Sequence, residues 1–152
     1  MKYTCGKHFA VRIFSMEYSR IMGIDFGTVR VGIALSDPMQ IIARPYVVLA
    51  NDSTIFTKIN KIISEKNVSQ IVLGLPVNLS GEDTEKTKEV REFAKKLKKT
   101  TQIPLTFSDE RYTSVEANQL LEKMGYSIRD SRKVIDKVAA ALILKGYLET
   151  VK

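Results

Sequence analysis

The chain has 152 residues, 44% of them apolar, and carries 24 Lys and Arg against 17 Asp and Glu for a net charge of +7. That is enough apolar chain to bury a core unaided, which excludes a disordered segment and a disulfide scaffold; the single cysteine, Cys5, has no internal partner and no zinc-ligand spacing around it. No apolar run approaches the roughly 20 residues needed to cross a bilayer, the longest candidate, "VAAALIL", ending at Lys145, so no membrane span and a reducing, cytoplasmic setting are expected.

Residues 1–19 read as an N-terminal extension and residues 20–152 as the folded domain. The extension has early lysines, but Arg12 breaks its apolar part and no small-residue cleavage site follows, so it makes a poor secretory signal. It is either an extra strand or a product of an upstream start, with Met16 or Met22 as the usual beginning. His8, the only histidine, lies within it and is a poor general base. Residues 1–20 supply +3 of the charge, four basic against one acidic. The remaining +4 is concentrated at "KKLKK" (95–99) and "RDSRKVIDK" (129–137). A basic balance favours polyanionic partners. The first cluster has a simpler explanation, because lysines at a helix C-terminus complement the macrodipole.

In chain order, residues 20–26 and 30–36 are two apolar strands joined around Gly27, and 40–50 is a third that contains Pro45. Ile55, Ile59, Ile62 and Ile63 then recur at helical spacing, with Asp52 or Ser53 as N-cap and Asn67 as the stop. "SQIVLGLP" (69–76) is a buried strand, "VNLSGED" a loop, and 83–99 a helix with Val90, Phe93, Ala94 and Leu97 on one face. "IPLTFSDER" is a further strand, "SVEANQLLEKMG" a helix stopped by Gly125, and 131–150 a final helix with Ser131 as N-cap. Hairpins come first, followed by strands alternating with helices. That order calls for an α/β fold with a mixed five-stranded sheet flanked by helices, the ribonuclease H-like order.

Ligands of such sheets gather outside the strand ends, so acids there are candidates. Asp25 ends the first strand, Asp109 and Glu110 end the fifth, and Asp136 shares a face of the last helix with Ala139, Ala140 and Ile143. Taken singly, each acid is more readily a cap or a turn former, and it is their convergence that favours a site. Three converging acids would repel unless a cation neutralised them. With no Cys or usable His at hand, that cation would be Mg²⁺ or Mn²⁺, which suits hydrolysis of a phosphodiester. Gly27 would clear the backbone for a ligand. Thr28, Arg30, Arg111, Thr113, Lys133 and Lys137 lie beside these acids and would contact phosphates, with Arg129 and Arg132 nearby. Phe26 and Tyr112 offer stacking surfaces, although an aromatic beside a strand is more often core.

Together "GIDFGTVRVGIALSD", "IVLGLPVNLSGEDTEKT", "SDERYTSVEA" and "DKVAAALILKGYL" resemble the YqgF/RuvX family of Holliday junction resolvase-like proteins, assigned to processing the 5′ end of the 16S rRNA precursor. The resemblance runs from about Ile21 to Leu148. It implies a ribonuclease H-like nuclease domain over 20–152, metal-dependent endonuclease chemistry, and Asp25, Glu110 and Asp136 as the active-site acids. The expected partners are structured RNA or branched DNA and ribosomal precursor particles, with the protein a monomer or weak dimer. Tyr112 stands where the family often has leucine. Leu75 and Pro76 stand where junction resolvases are expected to carry an acid, which "DER" on the next strand would supply instead. Asn78, Ser80 and Gly81 would line a substrate groove or simply make a turn.

Two other classes compete with a nuclease. A noncatalytic nucleic-acid-binding module of ribosome assembly would bind with strong salt dependence and cut nothing. An actin-like ATPase or sugar kinase, suggested by Asp-Phe-Gly-Thr, needs a second phosphate loop and a second domain that 152 residues do not supply.

Overall fold

A computed structural model describes residues 18–76, 82–109, 119, 121–123 and 125–151, with the side chains of 128–133 excepted. The strands are β1 (Arg20–Phe26), β2 (Arg30–Ser36), β3 (Ala43–Ala50), β4 (Val68–Leu75) and β5 (Leu105–Asp109). The helices are α1 (Ile55–Glu65), α2 (Glu85–Thr100) and α3 (Ile128–Thr150). The strands form one sheet in the order β3-β2-β1-β4-β5, with β1–β2 and β2–β3 antiparallel and β1–β4 and β4–β5 parallel. The mixed five-stranded sheet expected from the order of hairpins and crossovers is therefore present.

Alternation along β1 explains its place at the centre. Met22, Ile24 and Phe26 face α1 and α2, where they join Ile33, Ile71, Leu73 and the helix residues Ile55, Ile59, Val90, Phe93 and Leu97 in the larger core. Ile21 faces the other way and packs with Ala34, Val72 and the α3 residues Ala140, Ile143, Leu144 and Leu148. Both faces of the strand are covered, so its apolar run is nearly continuous. Gly23 lies on the α3 face, where an added Cβ would come within 2.8 Å of the Ala140 carbonyl oxygen and of the Leu144 Cβ. The helix consequently rests almost directly on the backbone of β1.

Local signals set the element ends. Asn67 adopts a left-handed conformation (φ 52°) just beyond α1, and its carbonyl accepts the Arg20 N–H at 2.9 Å, so the helix stop also anchors the start of β1. The N-cap of α1 is Thr54 rather than Asp52 or Ser53. Asp52 instead accepts from the Thr54 N–H and hydroxyl in a turn one step earlier. Strand β3 begins at Ala43, not at 40, because Asp37 gathers the N–H groups of Met39, Ile41 and Ile42 onto its carboxylate and holds residues 37–42 as a turn. Helix α2 opens with a capping box in which Thr84 and Thr87 exchange side-chain and backbone hydrogen bonds. The buried Thr87 hydroxyl also donates to the carbonyl of Pro76. Helix α3 begins at Ile128, so Ser131 lies inside it and is not its N-cap. Residues 121–123 are helical, and the rest of the expected helix before Gly125 falls largely outside the described residues.

Candidate active site

The C-terminal end of β1 and the N-terminal end of β2 meet the first half of α3. Asp25 follows Ile21 and Gly23 onto the α3 face, and its antiparallel partner across the strand pair is Gly32. An added Cβ on Gly32 would collide with the carbonyl of Asp136 and lie 2.8 Å from the N–H of Lys137. Opposed residues of an antiparallel pair lie about 4.5–5.5 Å apart. One glycine thus brings Asp136 of α3 to the strand register that holds Asp25. The small alanines of α3 were the expected means of close approach; the glycines of the sheet, Gly23 and Gly32, are the other half of that contact.

The Asp136 Oδ2 accepts a hydrogen bond from Arg30 Nε at 3.0 Å, and the two groups form an ion pair. The Asp136 side chain is 23% exposed and Arg30 57%, so the pair lies at a rim where its net worth is about 1 kcal/mol or less. Its importance is geometric, since it aims the Asp136 carboxylate toward the β1–β2 end. Arg30, expected to contact phosphate, therefore spends one N–H on Asp136 while much of its side chain stays accessible.

Gly27 and exposed Thr28 form the connection between β1 and β2. A Cβ at Gly27 would strike the carbonyl of Arg30, so the glycine is required by the tightness of the connection itself rather than by a ligand. Asn51, just past β3, braces that connection. Its side-chain amide donates to the Gly27 carbonyl at 2.8 Å and its backbone N–H to the Val29 carbonyl at 2.9 Å. Asn51 carried no signal in the sequence beyond that of a turn former.

Asp109 lies opposite Leu75 in the β4–β5 register and two residues on from Phe107, so it shares the face on which Phe107 packs against the α1–α2 core. It is therefore on the other face of the sheet from Asp25. Leu75 is buried in that same core, and Pro76 follows it as acceptor for Thr87. Phe26 belongs to the core too, its ring centroid 4.9 Å from that of Phe93, so it is not free to stack on a base. Lys137 is half-buried on α3. Glu110, Arg111, Tyr112 and Thr113, the residues Asn78, Ser80 and Gly81, and the side chains of Arg129, Arg132 and Lys133 lie outside the described residues, as do Cys5 and His8. Among the described residues no three His, Cys, Asp or Glu side chains form a metal-holding group. No helix among them is long and apolar enough to cross a membrane.

The hairpins, parallel crossovers and covering helices define a ribonuclease H-like fold, and solved structures share it. A Thermus thermophilus RuvC in complex with a Holliday junction substrate aligns over 88% of this chain and 95% of its own at a TM-score of 0.52 and 11% identity. The fowlpox virus Holliday junction resolvase aligns over 88% and 99% at 0.54 and 11%. Within that fold the chain belongs to the RuvX family, described as Holliday junction resolvase, whose family model matches residues 19–150. A relative from Lachnospira eligens, named "Putative pre-16S rRNA nuclease", is 41% identical over 86% of this chain and 97% of its own length. One of the same name from Koribacter versatilis is 40% identical over 89% and 90%.

Proposed function

We propose that the chain is an endonuclease, dependent on Mg²⁺ or Mn²⁺, that hydrolyses phosphodiester bonds at the 5′ end of the 16S rRNA precursor. Asp25, Glu110 and Asp136 are its catalytic and metal-holding acids, residues 20–152 its nuclease domain, and residues 1–19 an extension. The reading rests on one observation above all: α3 packs on Gly32, the register partner of Asp25, so acids more than a hundred residues apart share one strand end. The names of the curated relatives supply the substrate.

The donor chemistry fits the ion. Two carboxylates drawn to one place repel unless a cation is shared between them. Oxygen donors without thiolate or imidazole suit a hard, octahedral divalent ion. Glu110, outside the described residues, is assigned from the resemblance of "SDERYTSVEA" to the family's motif. When bound, such an ion supplies charge stabilisation at the phosphoryl oxygens and an activated water. Asp25 and Asp136 would hold the ion through their carboxylate oxygens, with Asp136 oriented by its hydrogen bond from Arg30. Thr28, Arg30, Arg111, Thr113, Lys133 and Lys137 position the backbone phosphates of a structured RNA, free or within a ribosomal precursor particle in the cytoplasm.

A second reading, resolution of four-way DNA junctions, is favoured by the family's description and by the fold it shares with junction resolvases. Labelled precursor RNA and a matched four-way junction, each incubated with Mg²⁺ and again with EDTA, separate the two. Cleavage of the RNA alone, abolished by EDTA, is the expected result. Cleavage of the junction alone moves the activity to DNA, and binding without cleavage of either makes the chain a binding module.

A further inference from the structure

At the other end of β1 from Asp25, and on the α1–α2 side of the sheet, lies a pocket of about 360 Å³ that the proposed chemistry does not use. Arg20, Arg44 and Lys66 line it together with Tyr46 and Asp37. None of the three cations forms an ion pair with a carboxylate among the described residues. The one acid present is already committed, because Asp37 accepts the backbone N–H groups of Met39, Ile41 and Ile42 at 2.7–3.0 Å.

Two of the three cations are held in place by neighbouring groups. Arg20 donates from Nη1 to the Ser36 carbonyl at 3.0 Å. Lys66 ends α1 and sets its ammonium 5.6 Å from the centroid of the Tyr46 ring. Tyr46 is the extra residue of a bulge, because Ala34 pairs with Pro45 and Ile33 with Val47. Bulges commonly re-aim a side chain, and this one brings the ring beneath Lys66.

We propose that this pocket binds a backbone phosphate of the nucleic-acid substrate, well away from the bond that is cut. Three cations against one occupied carboxylate select an anion, guanidinium forks match phosphate oxygens, and the pocket is of ligand size. Arg20 and Asp25 are five residues apart on β1, about 17 Å at strand rise. That spans about five base steps of a duplex strand, and the two places are also on opposite sides of the sheet. Only a strand long enough to pass from one side of the sheet to the other reaches both, so the pocket would favour a long RNA over a short oligonucleotide.

The inference rests on the substrate being nucleic acid, as proposed above, and it is tested by binding to the metal-free full-length protein, where cleavage plays no part. Anisotropy of a labelled precursor RNA is followed against salt for wild type, for Arg44→Ala/Lys66→Ala, and for Lys99→Ala/Lys145→Ala as a control of equal charge. The pocket variant should bind more weakly, with a salt slope shallower by about 1, the share of the one phosphate the pocket holds. The control should hold close to wild type. Tyr46→Ala should fall between them by releasing Lys66.

An unchanged slope in a pocket variant that melts like wild type overturns the proposal, and so does an equal loss in the control, which would reduce the effect to net charge. Adenosine monophosphate should leave the amide signals of Tyr46 and Lys66 unmoved at micromolar concentration; saturation there would make this a free-nucleotide site and overturn the strand assignment. Pocket-dependent binding without any cleavage sinks the nuclease reading and leaves this one standing. Cleavage with pocket-independent binding does the reverse.

Discussion

Gly32 carries more of the candidate site than its size suggests, because the space its missing Cβ would fill is occupied by the Asp136 carbonyl. Gly32→Ala is expected to push α3 away from β2 at a cost of about 1–3 kcal/mol, the range for overpacking a tight contact, and to lower cleavage far beyond the stability loss. Urea midpoints beside turnover on one RNA substrate check both. Asp37 offers a test of a different kind. Burial by itself would raise its carboxyl pKa, but the N–H groups of Ile42, Ile41 and Met39 together outweigh it and hold the group below the usual carboxylate range. A depressed folded-state pKa stabilises above the unfolded value, about 3.9, and that contribution is lost as the pH falls through the folded value. Wild type should therefore lose stability on acidification below about pH 4 faster than Asp37→Asn, as urea midpoints from pH 7 to 3 would show. Asp25 was legible in the sequence because an acid closing an apolar strand is conspicuous. Gly23 and Gly32 were not, since a glycine in a strand does not disclose what approaches it.

The elements followed their local signals wherever those signals were self-contained. The isoleucines of α1, the apolar face of α2 and the alternation of β1 and β2 all rest on periodicity that burial enforces. Ends were less legible, because caps are decided by single hydrogen bonds. Thr54 rather than Asp52 opens α1, and α3 starts at Ile128 ahead of Ser131. The Thr84–Thr87 capping box of α2 is the best-connected of these ends, since Thr87 also ties the helix to Pro76 at the close of β4. Thr84→Ala should cost about 1 kcal/mol and lower the melting temperature by about 2–4 °C, read by calorimetry. Thr84→Ser should restore most of the loss by keeping the hydroxyl.

Across the whole molecule, topology makes the site. Two hairpins at one side of the sheet and two parallel crossovers at the other bring β1 to the centre, and α3 returns across it from the far end of the chain. The order of elements announced this arrangement, but the facing of the acids needed register. Asp109 and Asp25 end neighbouring regions of the sheet yet occupy opposite faces. The Arg30–Asp136 pair offsets part of the acid repulsion at this end of the sheet. Arg30→Ala should lower the melting temperature of the metal-free protein slightly, and Mg²⁺ should recover more of that loss in the variant than it adds to wild type.

The most direct test of the account is cleavage of one precursor RNA with Mg²⁺ by wild type, Asp25→Asn and Asp136→Asn, each first shown to melt like the parent. The shared-site account predicts that both variants bind the RNA and leave it uncut, because each removes one carboxylate of a single centre. Cleavage at the wild-type rate by either folded variant would contradict it.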